Sequence, residues 1–175
     1  VNSITGPVIG LGAATGPLGQ QSPLGGKNVS VTVKSGNLQL GSIASSVDLT
    51  GVTTDTNGQI NVNNNLNAGG VLTLTSGSDP TNGKITVPAA SFVNGGTVKL
   101  TTPTLQLDGK IASTSNDVSI DSNRTGAAAK RLDVVMGAGS SLTAPNTKAV
   151  NFNPNAGANG GLINVTGPGA IAAGS

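Results

Sequence analysis

Few side chains in this sequence could do acid–base or nucleophilic chemistry. The 175 residues include seven acidic side chains, all of them aspartate, and there is no histidine, cysteine, glutamate or tyrosine. Only Asp, Lys, Ser and Thr remain as acids, bases or nucleophiles, which excludes the common catalytic triads and most zinc sites. We therefore expect the chain not to be an enzyme, and we expect no catalytic, cofactor-binding or metal-binding residues.

The closest pair of carboxylates is Asp117 and Asp121. They lie four residues apart on either side of Val118-Ser119-Ile120, with Arg124 nearby. A polysaccharide lyase or hydrolase needs clustered carboxylates and a basic partner in a groove. On a strand the two aspartates would share a face. We interpret the pair as part of a solvated strand edge or turn.

Oxygen ligands for calcium are also sparse. The Gly-Gly-x-Gly-x-Asp nonapeptide that supplies them in some repeat proteins is absent, and a corner site at Asp79 or Asp121 has no support in the neighbouring sequence. Thr-x-Thr strips can order water on a flat β-face. Here they are scattered, as at Thr73-Leu74-Thr75, and no regular array is visible.

The charge balance points away from nucleic acid and from a membrane. Charged residues make up 9% of the chain and the formal net charge is +2, whereas soluble domains usually have roughly 25% charged residues. The longest basic feature is Lys130-Arg131 near Arg124, and no aromatic ring beside it could stack on a base. No stretch approaches the roughly 20 apolar residues of a membrane helix. We expect a surface of hydroxyls and amides that neither binds nucleic acid nor inserts into a membrane.

The elements that must position these residues are short β-strands. Phe92 and Phe152 are the only aromatic residues, so the core must be aliphatic. Apolar residues alternate with polar ones at the period of a half-buried strand, which predicts about twelve strands. The strips are Val29/Val31/Val33, Leu38/Leu40, Val47/Leu49, Ile60/Val62, Leu72/Leu74, Ile85/Val87, Val98/Leu100, Leu105/Leu107, Val118/Ile120, Leu132/Val134, Val150/Phe152 and Ile163/Val165. The predicted corners are 35–37, 56–58, 63–70, 79–83, 94–96 and 108–109.

A local repeat indicates how the strands are arranged. Residues 31–40, Val-Thr-Val-Lys-Ser-Gly-Asn-Leu-Gln-Leu, match residues 98–107, Val-Lys-Leu-Thr-Thr-Pro-Thr-Leu-Gln-Leu. Equivalent residues of the two segments, such as Val31 and Val98, are separated by the length of three coils of about 22 residues each. We predict an all-β fold, a parallel β-helix (β-solenoid) with an aliphatic interior. The alternative is a β-sandwich, whose usual aromatic core this chain lacks.

Residues 1–26 differ in composition from residues 27–175. Prolines that follow Gly or Ser interrupt the first segment, and proline limits strand ladders. We predict a Gly/Pro-rich N-terminal arm or cap over 1–26 and a β-solenoid domain over 27–175. Thr5-Gly6-Pro7 recurs as Thr166-Gly167-Pro168, which hints at head-to-tail continuity between copies.

Two stretches are similar to a known family. Residues 95–111, Gly-Gly-Thr-Val-Lys-Leu-Thr-Thr-Pro-Thr-Leu-Gln-Leu-Asp-Gly-Lys-Ile, followed by residues 116–121, Asn-Asp-Val-Ser-Ile-Asp, resemble coils of the filamentous haemagglutinin family of bacterial exoproteins. Residues 67–74 look similar, and the repeat style covers residues 28–165. The resemblance implies a right-handed β-helix, export through an outer-membrane partner, and a role in adhesion, biofilm formation or toxin delivery. It carries no fixed catalytic residues.

These patterns together favour a secreted or cell-surface bacterial protein, a structural or adhesive module of a fibre. An open solenoid end exposes unpaired backbone groups and apolar side chains, and no amphipathic helix here could cap it. The expected partner is another copy, in a homo-oligomer or head-to-tail polymer with residues 1–26 at the junction. A host or matrix glycan is the second expected partner. The alternatives are a carbohydrate-active β-helix enzyme and a passive ice- or glycan-binding module.

Overall fold

The protein is all-β, as predicted. A computed structural model describes residues 8–11, 24–126, 131–154 and 161–172. In chain order the strands are β1 (Val8–Leu11), β2 (Leu24–Gly26), β3 (Val29–Val33), β4 (Asn37–Leu40), β5 (Ile43–Ser45), β6 (Leu49–Thr53), β7 (Gln59–Val62), β8 (Leu66–Thr75), β9 (Lys84–Val87), β10 (Phe92–Thr101), β11 (Thr104–Leu107), β12 (Lys110–Ser113), β13 (Val118–Asp121), β14 (Arg131–Met136), β15 (Ser141–Thr143), β16 (Val150–Asn153), β17 (Leu162–Thr166) and β18 (Ala170–Ala172). Val, Ile and Thr are frequent in them because side chains branched at Cβ fit a pleated surface.

The strands pair in three parallel ladders. Ladder 1 contains β1, β4, β7, β9, β11, β14 and β17. Ladder 2 contains β2, β5, the first parts of β8 and β10, β12, β15 and β18, and ladder 3 contains β3, β6, the second parts of β8 and β10, β13 and β16. Ladders 2 and 3 form one 11-stranded sheet because β8 and β10 run through both. This parallel pairing contradicts the sandwich alternative, which is built from antiparallel sheets.

The chain visits ladders 1, 2 and 3 in the same order each time, and we call one such passage a circuit. Asn37 and Gln59, which begin paired strands of neighbouring circuits, are separated by 22 positions in the sequence. The separation is shortest between the paired residues Val93 and Ile111, and it is longest between Val118 and Val150. Circuit length varies because the connections between strands differ in length.

The predicted repeat of 31–40 at 98–107 is confirmed in its second half and wrong by two residues in its first. Three successive pairings connect Leu38 to Leu105 along ladder 1. On ladder 3, three pairings connect Val98 to Val29 rather than to Val31. The reason is that the connection from ladder 3 to ladder 1 is two residues shorter in the later circuit.

Most predicted strips lie in strands, but some details differ. The predicted corner at 63–70 is wrong at residues 66–68, because β8 begins at Leu66 and both Leu66 and Ala68 are buried. Gly69 and Gly70 lie where β8 passes from ladder 2 to ladder 3. The predicted corner at 94–96 lies inside β10, at the point where its pairing with β8 shifts register. Val47 lies outside β6 and is exposed. Strands β5, β12 and β15 escaped prediction because each has only one large inward side chain.

Aliphatic side chains from the three ladders stack in one core. The buried members are Val31, Val33, Leu38, Leu40, Ile43, Leu49, Ile60, Val62, Leu66, Ala68, Leu72, Leu74, Ile85, Val87, Val93, Val98, Leu100, Leu105, Leu107, Ile111, Val118, Ile120, Leu132, Val134, Met136, Leu142 and Ala144. Gly51 also points inward, and a Cβ there would lie 3.0 Å from Leu74 Cδ2 and 3.2 Å from Leu40 Cδ1. The neighbouring leucines therefore fill the space that this glycine leaves.

The described parts of residues 1–26 join the same ladders. β1 pairs with β4, and β2 pairs with β5. Thr5-Gly6-Pro7 lies outside the described residues. The division into an arm over 1–26 and a domain over 27–175 stays a prediction.

Candidate functional site

The structure separates the residues that the sequence offered as a catalytic group. Asp117 precedes β13 and Asp121 ends it, so the two Cα atoms are about 13 Å apart at the usual rise of a strand. The carboxylate of Asp117 accepts a hydrogen bond from the backbone N–H of Ala149 at 2.8 Å, and Arg124 pairs with Asp133 instead. The three side chains form no catalytic cluster.

Asp79, the other candidate for a calcium corner, makes a turn. Its Oδ1 accepts hydrogen bonds from the backbone N–H groups of Thr81 and Asn82 at 2.9 and 2.7 Å. This is an Asx turn, in which the side chain replaces a backbone acceptor. In the described part of the chain, no three metal-ligating side chains of the Asp, Glu, His and Cys types come together.

The most buried charged group of the described chain is Arg124, which is 7% exposed. Its guanidinium donates to the carboxylate of Asp133 and, through Nε, to the carbonyl oxygen of Pro103 at 3.2 Å. Arg131 and Asn164 also donate to Asp133, at 2.9 and 3.0 Å. Burial alone would raise the pKa of Asp133, but the hydrogen bonds from Arg131 and Asn164 and the charges of both arginines outweigh it and lower that pKa.

Two of the three basic residues singled out in the sequence therefore form ion pairs within the protein. Arg124 and Arg131 share one carboxylate, and Lys130 lies outside the described residues. Among the residues that the structure describes, no helix is long and apolar enough to cross a membrane.

Several corner side chains join neighbouring circuits. Each accepts a hydrogen bond from a backbone N–H of the adjacent circuit: Asn37 from Gln59 at 2.8 Å, Asp48 from Val71 at 2.8 Å, Asp55 from Gly36 at 2.7 Å and Asn65 from Phe92 at 3.1 Å. At a corner the strand ladder is interrupted, and these side chains supply the acceptor that it would have provided. Much of the polar chemistry noticed in the sequence thus has a structural role at corners.

The outward side of ladder 3 has short columns of hydroxyl groups. Register pairing aligns Ser30, Thr50 and Thr73 in one column, and Thr75 and Thr101 in a second. Lys99 interrupts the first column and Val52 the second. The sequence did not reveal this alignment because the circuits between these residues differ in length.

A cleft of about 270 Å³, lined mostly by residues with polar side chains, lies at one end of these columns. We call it the corner cleft. It is lined by Val52, Thr53, Thr54, Asp55, Thr56, Thr75, Ser76, Gly77, Ser78 and Asn123. These residues come from the ends of β6 and β8 and from the loop after β13. No motif in the sequence links them, so the cleft is not predictable from the sequence alone.

Asp55 provides the charge in the corner cleft. Its carboxylate accepts backbone hydrogen bonds from Gly36 at 2.7 Å and from Asn57 at 3.0 Å. These two bonds, the one from Gly36 first, outweigh the slight burial and lower the pKa of Asp55. The side chain is therefore a carboxylate at neutral pH.

Asn123 forms another part of the cleft wall. Its Nδ2 donates to the carbonyl oxygen of Ser76 at 2.9 Å. Its Oδ1 is buried and has no donor among the described residues, which is uncommon for a buried acceptor. The hydrogen-bonding capacity of this wall is thus incompletely used within the described chain.

A second candidate surface lies at the last described strands of the ladders. Leu162, Ile163 and Val165 on β17 and Ile171 on β18 are exposed, and we call this set the apolar edge. Ile163 and Val165 pair with Leu132 and Val134, which are fully buried. Ile171 likewise pairs with the buried Leu142, whereas Leu162 pairs with the outward Arg131. Three of the four side chains of the apolar edge therefore continue core columns into an exposed surface.

Comparison with protein-family models, curated proteins and solved structures finds no match to this chain. The function must be inferred from the two surfaces themselves. The corner cleft offers polar groups on an outer corner, and the apolar edge offers aliphatic side chains beside strand edges.

Proposed function

We propose that this protein is an extracellular structural or adhesive module, built as a right-handed parallel β-solenoid, whose copies associate end to end in a bacterial surface fibre. The apolar edge is the observation that carries this proposal. Exposed aliphatic side chains in register with a buried core are what a further layer of strands would cover.

The solenoid architecture is supported by the order in which strands join the ladders. Each circuit adds a strand to ladder 1, then to ladder 2, then to ladder 3, always parallel to its neighbours. Crossover connections between parallel strands are right-handed in about 98% of cases. Successive circuits therefore wind in one direction around a shared aliphatic core.

End-to-end association is supported by the geometry of the apolar edge. Ile163 is 42% exposed and Val165 is 41% exposed, although their partners on β14 are buried. The described neighbours of β16, β17 and β18 lie on one side only, which leaves backbone donors and acceptors at a strand edge. In a second copy β1, β2 and β3 could extend ladders 1, 2 and 3, with residues 1–26 at the junction. A head-to-tail contact of this kind does not close and produces a fibre.

Adhesion and an extracellular location are inferred from the family resemblance. Residues 95–111 and 116–121 resemble haemagglutinin coils, and the low content of charged residues suits a surface of hydroxyls and amides. A host or matrix glycan is the partner expected of such a surface.

The test of association compares Ile163→Lys with Thr166→Lys. Ile163 lies in the apolar edge, whereas Thr166 lies on the same strand and pairs with the outward Val135. We expect sedimentation velocity to show concentration-dependent oligomers for the wild type and for Thr166→Lys. Ile163→Lys should weaken association at least about tenfold, because a buried lysine without a partner is unfavourable.

Electron microscopy of the same samples should show filaments for the first two proteins and single particles for the third. A wild-type protein that stays monomeric at high concentration would overturn the proposal. The same conclusion follows if Ile163→Lys, shown by circular dichroism to be folded, associates as the wild type does.

A further inference from the structure

We propose that the corner cleft binds one neutral hexose unit of a glycan, with the carboxylate of Asp55 accepting hydrogen bonds from neighbouring sugar hydroxyls. This inference rests on the adhesive part of the proposed function, since it names the ligand class and the residues. It does not depend on end-to-end association.

The lining of the cleft excludes most other ligand classes. Among the described residues no lysine or arginine lines it, and Asp55 is anionic, so phosphate, sulfate and carboxylate groups are disfavoured. Val52 is its largest apolar side chain and no aromatic ring lines it, so a lipid or an aromatic ligand has little surface to cover. A divalent cation would find only one carboxylate in this lining.

The groups that remain suit a polyhydroxyl ligand. Thr56, Thr75 and Ser78 line the cleft, and their side-chain hydroxyls make no hydrogen bond with the described residues, so each hydroxyl can both donate and accept. Asp55 adds a charged acceptor whose orientation is fixed by the N–H groups of Gly36 and Asn57. Sugar hydroxyls have the same dual character, and hydrogen bonds to a charged acceptor are the stronger kind.

The size and position of the cleft limit the ligand to one ring with a chain attached. Its volume of about 270 Å³ lies just below the roughly 300–1,000 Å³ of typical small-molecule sites. Thr75 belongs both to the cleft and to a hydroxyl column of ladder 3. A glycan anchored in the cleft would therefore continue along the outward side of that ladder.

The experiment is saturation-transfer NMR with the full chain and neutral methyl glycosides of glucose, galactose and mannose. Methyl glucuronide serves as the anionic counterpart. We expect at least one neutral glycoside to bind, and methyl glucuronide not to bind, because Asp55 repels its carboxylate. Asp55→Asn should weaken the binding of that glycoside about tenfold.

Two further variants test the position of the site. Thr75→Val should weaken binding about fivefold through the lost hydroxyl, and it should fold normally because Val52 occupies the paired position on β6. Asp108→Asn removes a carboxylate at another corner, which within the described chain accepts hydrogen bonds only from the Gln106 side chain. This variant should bind the glycoside as tightly as the wild type does.

Three results would overturn the inference: no binding of the neutral glycosides, tighter binding of methyl glucuronide, or unchanged binding by folded Asp55→Asn. Thermal melting checks that Asp55→Asn is folded. We expect it to fold because the asparagine side chain keeps one acceptor oxygen for the backbone N–H groups of Gly36 and Asn57. Sedimentation of the same samples distinguishes the two proposals. A protein that forms filaments but binds no glycoside contradicts only this inference, and a monomeric protein that binds one contradicts only the fibre.

Discussion

Asp133 is the side chain on which a polar cluster of four side chains from three elements depends. It accepts hydrogen bonds from Arg124, Arg131 and Asn164, which come from the loop after β13, from its own strand and from β17. Arg124 is almost fully buried, and so it relies on this carboxylate for its counter-charge.

Replacing Asp133 with Asn should destabilise the protein by about 3 kcal/mol, because it leaves the Arg124 guanidinium buried without a counter-charge. Urea unfolding followed by circular dichroism measures the change. The control is Arg131→Gln, which should cost clearly less stability than Asp133→Asn because Arg131 is 42% exposed and solvent screens its charge. Equal losses in the two variants would show that Asp133 does not neutralise a buried charge.

The same cluster predicts how stability depends on pH. The pKa of Asp133 is lowered on folding, so its contribution is fully present above the unfolded value of about 3.9 and is lost as pH falls through the lowered folded value. The stability difference between wild type and Asp133→Asn should therefore be constant near neutral pH and shrink below about pH 4. A difference that grew on acidification would contradict this assignment.

At the scale of elements, corner side chains secure the pairing of neighbouring circuits. Asp48 directly precedes β6, and its carboxylate accepts a hydrogen bond from the N–H of Val71 at 2.8 Å. Val71 lies where β8 passes from ladder 2 to ladder 3. Without this carboxylate the Val71 N–H would lose that hydrogen bond at a point where the ladder is interrupted.

Asp48→Ala should therefore cost about 1 kcal/mol and speed hydrogen exchange at the Val71 amide. Asp108→Ala is the matched control, because among the described residues the Asp108 carboxylate accepts only from the Gln106 side chain. NMR-detected exchange measures both variants. If Asp108→Ala speeds exchange at Val71 as much as Asp48→Ala does, the effect is not local to the corner bond.

The loop after β13 shows a second way in which elements are joined. The Asn123 side chain donates to the carbonyl oxygen of Ser76. The backbone N–H of Thr125 donates to the carbonyl oxygen of Ser78 at 3.2 Å, and in both bonds the partners are 47 residues apart in the sequence. The loop crosses the short connection of residues 102–103 to reach them. One wall of the corner cleft exists only because of this crossing.

At the scale of the whole molecule, each circuit contacts mainly the circuits before and after it. In such an arrangement stability is roughly the sum of the stabilities of the circuits and of their interfaces. Strands with a neighbour on one side should then open more readily than strands with two.

We expect hydrogen exchange in the Ile163→Lys variant to be at least about 100-fold faster in β17 and β18 than in β9 and β11. The variant is used because association would protect the edge strands in the wild type. Mass spectrometry of peptides resolves these strands. Uniform protection across the ladders would show that the protein opens as a single cooperative unit.

The strand content and the inward residues could be read from the sequence. Leu38/Leu40, Ile60/Val62 and Leu105/Leu107 were assigned correctly because alternation with period two is a local property of the backbone. The shortage of catalytic side chains was equally visible in composition. Short strands such as Ile43–Ser45 could not be predicted from the sequence, because a single large inward side chain shows no alternation of apolar and polar residues.

Only the tertiary structure decided which strands pair and which polar groups meet. The sequence separation of paired residues varies widely, from the short one of Val93 and Ile111 to the long one of Val118 and Val150, and nothing local encodes it. Asp55, Thr75 and Asn123 come together in one cleft because circuits of unequal length bring their corners together. The alternation of side chains depends on neighbouring residues along the chain, whereas the cleft and the apolar edge depend on contacts between circuits.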